Sequence, residues 1–261
     1  MRVIITGAAS GIGQAVAQRL QEGDVIRGDH RMLLVDRDTD GLARVADMIG
    51  PAAAILKADV TDEADSAIIA AAALDHMGGI DGVVSNAGAI AAGTLMQMTP
   101  ADYDRLFAVN TRATWLLARA TYPYLRESRG ALVATASMAA TQPTPPLGAY
   151  APAKAALRML IRQLSVDWGP DGIRCNCVSP GPTLTGMTAA GYADPARRAE
   201  REAAMPLRKL GTPADVANAI LFLLSPLAGH ITGIDLLVDG GLSNCLMIAN
   251  GGGAGHAPAA S

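Results

Sequence analysis

Ser137, Tyr150 and Lys154 stand 13 and then four positions apart, and these residue types at this spacing could move a proton. Four positions on a helix place Tyr150 and Lys154 on one face, an ammonium beside a phenol. A free tyrosine titrates near 10, too high for a base at neutral pH. A neighbouring positive charge stabilises the phenolate and draws that value down. A serine hydroxyl on the same side could donate to an oxygen on which negative charge develops. A Tyr-x3-Lys pair alone recurs by chance, so its weight depends on what surrounds it.

Upstream, the stretch Thr6-Gly7-Ala8-Ala9-Ser10-Gly11-Ile12-Gly13 follows an apolar run and opens a segment with Ile12, Val16 and Leu20 at helical spacing. Glycines permit a tight turn and a close backbone approach, and the helix start offers free N–H groups and positive dipole, a combination that suits a pyrophosphate. Asp36 ends the next apolar run, 23 positions after Gly13.

The elements that must position these groups alternate between strand and helix. Strand candidates are Arg2 to Thr6, His30 to Asp36, Ala54 to Ala58, Gly82 to Ser85, Ala131 to Ala136, Arg174 to Val178 and Ile234 to Val238, each separated by a helix-length segment. This order predicts an α/β, doubly wound Rossmann-type fold, a seven-stranded parallel sheet with helices on both faces. Ser137 then falls at the C-terminal edge, where such sheets bind ligands. Thr99-Pro100 and Thr212-Pro213 read as capped helix starts. The polar loop from Gln21 to His30 lies at the opposite edge and receives no catalytic role.

Half of the 261 residues are hydrophobic, 17% are charged and the net charge is −3, which fits one large core and offers no basic footprint for nucleic acid or an anionic membrane. Apolar runs fall short of the roughly 20 residues needed to span a bilayer, and Met1 to Thr6 reads as a strand instead of a signal peptide. A cytoplasmic protein is expected. Cys175, Cys177 and Cys245 form no CxxC and are read as reduced; Cys175 and Cys177 share a strand face and are assigned to the core instead of a metal. One domain over 1–249, with a substrate lid at 186–205 and a Gly/Ala-rich mobile tail at 250–261, completes the expected organisation.

The Gly-x3-Gly-x-Gly loop with Ser137, Tyr150 and Lys154 resembles the short-chain dehydrogenase/reductase family, and the resemblance runs from Val3 to Gly241. It implies an oxidoreductase passing a hydride between a nicotinamide cofactor and a secondary alcohol or ketone. Gly7, Ser10, Gly11, Ile12 and Gly13 would cradle the cofactor, and Asp36 would take the adenosine ribose hydroxyls and repel the extra phosphate of NADP. NAD is therefore the expected cofactor, with Arg37 the complication. Asp59-Val60 looks like the adenine-contacting pair, Asn86-Ala87-Gly88 like the motif ending the fourth strand, and Asn110 like the catalytic asparagine of the proton relay. Pro180-Gly181 with Thr183 and Thr185 looks like the nicotinamide segment.

Ala136 replaces a common serine, Pro152 lies inside the Tyr-to-Lys turn, and the 21–30 loop is longer than usual. Candidate substrate positions are Ile90, Met138, Gln142, Leu147, Pro182 and Met187 beside Ser137 and Tyr150, mostly apolar, which favours a hydrophobic or cyclic substrate. The family also implies a homotetramer, an expectation strengthened by the apolar content of Leu106 to Leu117 and Leu157 to Leu164. The alternatives are a non-catalytic nucleotide-sensing protein on the same fold, a 3-oxoacyl thioester reductase, a sugar-nucleotide epimerase and an enoyl reductase. Sensors commonly lose the tyrosine or lysine, epimerases carry a larger C-terminal domain, and enoyl reductases space tyrosine and lysine more widely.

Overall fold

The computed structural model describes residues 1–245; the 250–261 tail lies outside the described residues. Seven strands, β1 (Arg2–Thr6), β2 (Arg31–Asp36), β3 (Ala53–Lys57), β4 (Gly82–Ser85), β5 (Ala131–Thr135), β6 (Arg174–Pro180) and β7 (Asp235–Val238), form one parallel sheet in the order β3-β2-β1-β4-β5-β6-β7. The order reverses between β1 and β4, and the C-terminal strand ends flanking that switch point are where a doubly wound sheet binds its ligand.

Helices cover both faces. The buried side chains of α1 (Gly11–Glu22), α2 (Thr39–Ile49) and α8 (Pro213–Leu224) pack one face, with Val3, Ile5 and Val178 of the sheet. Those of α3 (Glu63–Met77), α5 (Ala113–Ser128) and α6 (Tyr150–Trp168) pack the other, with Ile4, Val83 and Leu132. Consecutive strand residues point to opposite faces, which is why the centre of β1, residues 3–5, is continuously apolar. Cys175 and Cys177 are buried together on the α6 side.

The two threonine-proline starts are capped as expected: Thr99 accepts from the Asp102 N–H at the start of α4 (Pro100–Phe107), and Thr212 forms a capping box with Asp215. α4 does not run directly into α5, however, because a π turn at Ala108–Arg112 intervenes. The 186–205 segment holds a short turn at Ala189–Tyr192 and the helix α7 (Pro195–Ala204), which has no buried residue. The polar loop begins at Gly23 and not at Gln21, because α1 runs on through Glu22 to its glycine cap; it is pinned to the body by Ile26 and His30, both buried, and by the Met1 ammonium on the Asp29 carbonyl at 2.6 Å.

Candidate active site

The glycine loop is built by contacts that a side chain would prevent. Gly7 and Gly11 take left-handed φ of 66° and 56°, where L-residues are strained. A Cβ on Gly13 would sit 2.1 Å from the Gly7 carbonyl oxygen, so only glycine lets α1 start this close to β1. Ser10 is the N-cap but makes no side-chain cap bond, and no acid occupies the first turn. First-turn N–H groups have no partner within the helix, so this end of α1 keeps its donors and positive dipole for an anion. The cradle therefore fits a dinucleotide pyrophosphate.

Asn86 holds that loop from behind. Its Nδ2 donates to the carbonyls of Thr6 at 3.2 Å and Gly7 at 3.3 Å, while its main-chain N–H donates to the Thr6 hydroxyl at 3.0 Å. The Ala87 N–H reaches the same hydroxyl at 3.2 Å. The Asn86 side-chain N–H groups are thus committed to the loop's own carbonyls.

At the end of β2 the Asp36 carboxylate accepts from the N–H groups of Ala9 at 3.1 Å, Arg37 at 2.7 Å and Asp38 at 3.1 Å. Its position is therefore set by main chain. The Arg37 guanidinium instead lies 3.6 Å from Asp59. Asp59 accepts from the Thr61 hydroxyl at 2.7 Å and the Thr61 N–H at 3.0 Å, bonds that hold its carboxyl below the usual carboxylate range. Val60, expected beside the adenine, buries its side chain in the core.

Ser137 follows β5 and accepts from the Ala139 N–H at 3.1 Å, capping the short turn that carries Met138. Tyr150 opens α6, and Lys154 lies one turn on, its Nζ 5.8 Å from the centre of the Tyr150 ring. Pro152 falls in the first turn of α6, where its missing N–H breaks no helical bond. Ala136 is buried in the apolar cluster, so a serine there would bring a hydroxyl into the core.

Lys154 is 4% exposed and donates to the Thr135 carbonyl at 2.8 Å; burial pulls its ammonium down to about 8. Burial likewise raises the Tyr150 phenol, opposed by a hydrogen bond from Ser137. This corrects the expectation of a tyrosine lowered by its lysine. Removing phenolate from water outweighs an ammonium nearly 6 Å from the ring centre.

Asn110 sits in the π turn, 1% exposed, with Nδ2 donating to the carbonyls of Ala89 at 2.9 Å and Leu106 at 3.1 Å and Oδ1 accepting from the Ala89 N–H at 3.2 Å. Wider π turns mark functional sites in many helices; here the turn coincides with Asn110. A Cβ on Gly88 would lie 2.9 Å from Asn110 Oδ1 and 3.5 Å from Lys154 Nζ. Gly88, Asn110 and Lys154 therefore meet at one point.

Pro180 ends β6, and a Cβ on Gly181 would lie 2.6 Å from the Asp239 Cβ. Thr183 is buried, its hydroxyl donating to the Gly181 carbonyl at 3.0 Å. Thr185 lies against the glycine loop, within 3.5 Å of a Cβ placed on Gly11. Thr188, not singled out from sequence, donates to the Thr183 carbonyl at 2.6 Å and ties this segment to the 186–205 stretch.

Of the candidate substrate positions, Met138 adjoins Ser137, and the Leu147 carbonyl accepts from the Tyr150 N–H at 3.0 Å. Leu147 also bridges to Gly93, bringing the 89–98 loop beside it. Pro182 accepts from the Gly211 N–H at 2.9 Å. Ile90, Gln142 and Met187 are exposed on their loops. Sequence reasoning missed Thr135 and Thr188, whose only signal was their place at a strand end and after Thr185. Among the described residues no group of three or more His, Cys, Asp and Glu is arranged to hold a metal.

A family described as enoyl-(acyl carrier protein) reductase matches residues 7–243. The chain is 35% identical to 2-(S)-hydroxypropyl-CoM dehydrogenase 3 of Xanthobacter autotrophicus over 249 residues, 92% of this chain and 96% of that one. It is 37% identical to 2,3-dihydro-2,3-dihydroxybenzoate dehydrogenase of Bacillus subtilis over 250 residues, 91% of this chain and 94% of that one. The crystal structure of 3-ketoacyl-(acyl-carrier-protein) reductase from Brucella melitensis complexed with NADH is similar with a TM-score of 0.83 and 33% identity, covering 92% of this chain and 97% of that one. With this coverage, the parallel sheet and the glycine loop, the chain belongs to the short-chain dehydrogenase/reductase family of oxidoreductases.

Proposed function

We propose that this chain interconverts a secondary alcohol and a ketone of a hydrophobic or cyclic substrate, with NAD(H) as cofactor. The observation that carries the reading is the meeting of Lys154, Asn110 and Gly88 one helical turn from Tyr150. The nicotinamide, when bound, supplies or accepts the hydride. Ser137 donates to the substrate oxygen, and Tyr150 exchanges a proton with it. A phenol raised by burial is protonated at neutral pH and ready to donate to a ketone; for oxidation, the Ser137 bond and the Lys154 charge support the phenolate. Asn110 lies beside Lys154, placed to hold a water that would carry the proton from the lysine to solvent.

Gly7, Ser10, Gly11, Ile12 and Gly13 would hold the pyrophosphate, Asp36 the adenosine ribose, Asp59 and Val60 the adenine edge, Asn86, Ala87 and Gly88 the floor, Tyr150 and Lys154 the nicotinamide ribose, and Pro180, Gly181, Thr183 and Thr185 the nicotinamide. Asp36 favours NAD, because a 2′-phosphate would bring like charge to a carboxylate that main-chain bonds hold in place. The apolar Met138, Leu147, Pro182 and Met187, beside Gln142, support a hydrophobic substrate; a relative named for a hydroxypropyl compound supports a secondary alcohol, and one named for a cyclic diol supports a ring.

A second reading, a 3-oxoacyl thioester reductase, has its support in the similar 3-ketoacyl reductase structure. An enoyl reductase is disfavoured by the four-residue Tyr150 to Lys154 spacing. Self-association as a homotetramer belongs to the same reading, on a corrected argument. Leu106, Leu116, Leu117, Leu157 and Leu164 are buried within the chain, whereas Trp115, Met159 and Val166 are left exposed on α5 and α6. Beside Trp115 lies an apolar groove of about 560 Å³ that includes Phe107 and Leu160.

The test is a panel of alcohols and ketones followed by NADH absorbance, with Tyr150→Phe alongside. Turnover that Tyr150→Phe nearly abolishes while NADH still binds is the expected result; most of the rate surviving would overturn the role of Tyr150. Light scattering near the 26.7 kDa chain mass at micromolar concentration would overturn the oligomer.

A further inference from the structure

Lys154 and the glycine loop are joined through two residues, Thr135 and Asn86, and Thr135 belongs to neither the loop nor the Ser-Tyr-Lys set. β4 pairs with β5 only as far as Ala134, and the carbonyl of the next residue, Thr135, accepts instead from Lys154 Nζ at 2.8 Å. The hydroxyl of the same Thr135, a residue 7% exposed, donates to Asn86 Oδ1 at 3.0 Å. Asn86 spends its Nδ2 on the Thr6 and Gly7 carbonyls. The path from ammonium to phosphate loop thus runs Lys154, Thr135, Asn86, Gly7, with each link a hydrogen bond of 2.8 to 3.3 Å.

We propose that Thr135 is a positioning residue that sets the glycine loop and Lys154 relative to one another. It rests on the reading of Lys154 and the loop given above. The chemistry of the amide supports it. An asparagine side chain has an acceptor end and a donor end, and the two carbonyls of Thr6 and Gly7 require the donor end. The Thr135 hydroxyl is the hydrogen-bond donor that Oδ1 meets, so it fixes which way the amide points. Without it Oδ1 is left partly buried with no donor, and the amide that carries the first turn of the loop is held by its two Nδ2 bonds alone. β5 supplies the rigidity: Ala136 donates to the Val178 carbonyl at 2.8 Å, so the strand end holding both bonds is itself held to β6.

Thr135→Val keeps the shape and strand preference and removes the hydroxyl; Thr135→Ser keeps the hydroxyl. In the cofactor-free protein, Thr135→Val should speed amide hydrogen exchange at residues 6–13 and 86–88 by about tenfold, the loss expected for one such bond, with no change in α3 or α8. NADH binding read by fluorescence should weaken by about the same factor, and Thr135→Ser should restore both. Lys154→Ala should speed exchange at 6–13 in the native background and add nothing in Thr135→Val, because the path is already cut. Unchanged exchange at 6–13 in Thr135→Val, additive effects in the double variant, or no restoration by serine would each overturn the proposal. Should Thr135→Val not fold, Thr135→Ala against Thr135→Ser decides by the same comparison. A native protein that fails to bind NADH would sink the functional reading, while the exchange comparison, made without cofactor, still decides the role of Thr135.

Discussion

Arg158, one helical turn beyond Lys154 on α6, places its Nε 3.0 Å from the Asp235 carboxylate of β7, which is only 8% exposed. The other carboxylate oxygen accepts from the Ser179 hydroxyl of β6 at 2.5 Å. The helix carrying Tyr150 and Lys154 is therefore tied to the edge of the sheet by an ion pair. Removing the cation leaves a buried carboxylate without its partner. Arg158 is about one-third exposed, so the loss is below the range for a fully buried pair. Arg158→Met is expected to cost about 2 kcal/mol, seen as a melting temperature lower by about 4–8 °C; a fall of under 1 °C would show that the pair contributes nothing.

His30 makes stability depend on pH. Nε2 lies 2.8 Å from the Ile26 carbonyl, while Nδ1 is buried with no partner among the described residues, and burial holds the imidazole below its ordinary value of 6.5. The unfolded chain then binds the proton more readily than the folded one. The contribution of His30 is complete above pH 6.5 and is lost as pH falls from there through the folded value. Melting curves at pH 7.5 and 5.5 should show a larger acid loss in the native protein than in His30→Gln. Equal losses would refute the assignment.

Cofactor choice turns on Asp36 and Arg37. At an effective dielectric of about 20, like charges roughly 4 Å apart repel by about 4 kcal/mol, and Arg37 is drawn toward Asp59 at 3.6 Å. Discrimination for NAD over NADP of at least about tenfold in kcat/KM, about 1.4 kcal/mol, is expected. Asp36→Ala should narrow it. NADP used as well as NAD would mean that Arg37 leaves Asp59 for the phosphate.

Gly13→Ala tests the glycine loop by sterics alone. The added methyl would meet the Gly7 carbonyl oxygen at 2.1 Å, so α1 must withdraw from β1 or the loop must open. Loss of NADH binding by tenfold or more is expected, with a stability loss of about 1–3 kcal/mol for the overpacked contact. Retention of native affinity would mean that the loop relaxes freely.

The sheet was legible because its signals are local. Apolar runs alternating with helical periods located all seven strands to within one or two residues, and Gly7, Gly11 and Gly13 announced a backbone that only glycine can follow. Ser137, Tyr150 and Lys154 were visible because their spacing maps onto one strand end and one helical turn. What the sequence could not determine depends on packing among distant segments. The Tyr150 phenol is raised, not lowered, because tertiary burial outweighs a neighbour on the same helix. The leucines of α5 and α6 turned inward while Trp115, Met159 and Val166 turned out, since only the assembled sheet decides which part of a helix is covered. Asn110 lies in a π turn that no residue type advertises. Thr135, between Lys154 and Asn86, draws its partners from 19 and 49 positions away, and such contacts exist only once β4, β5 and α6 have come together.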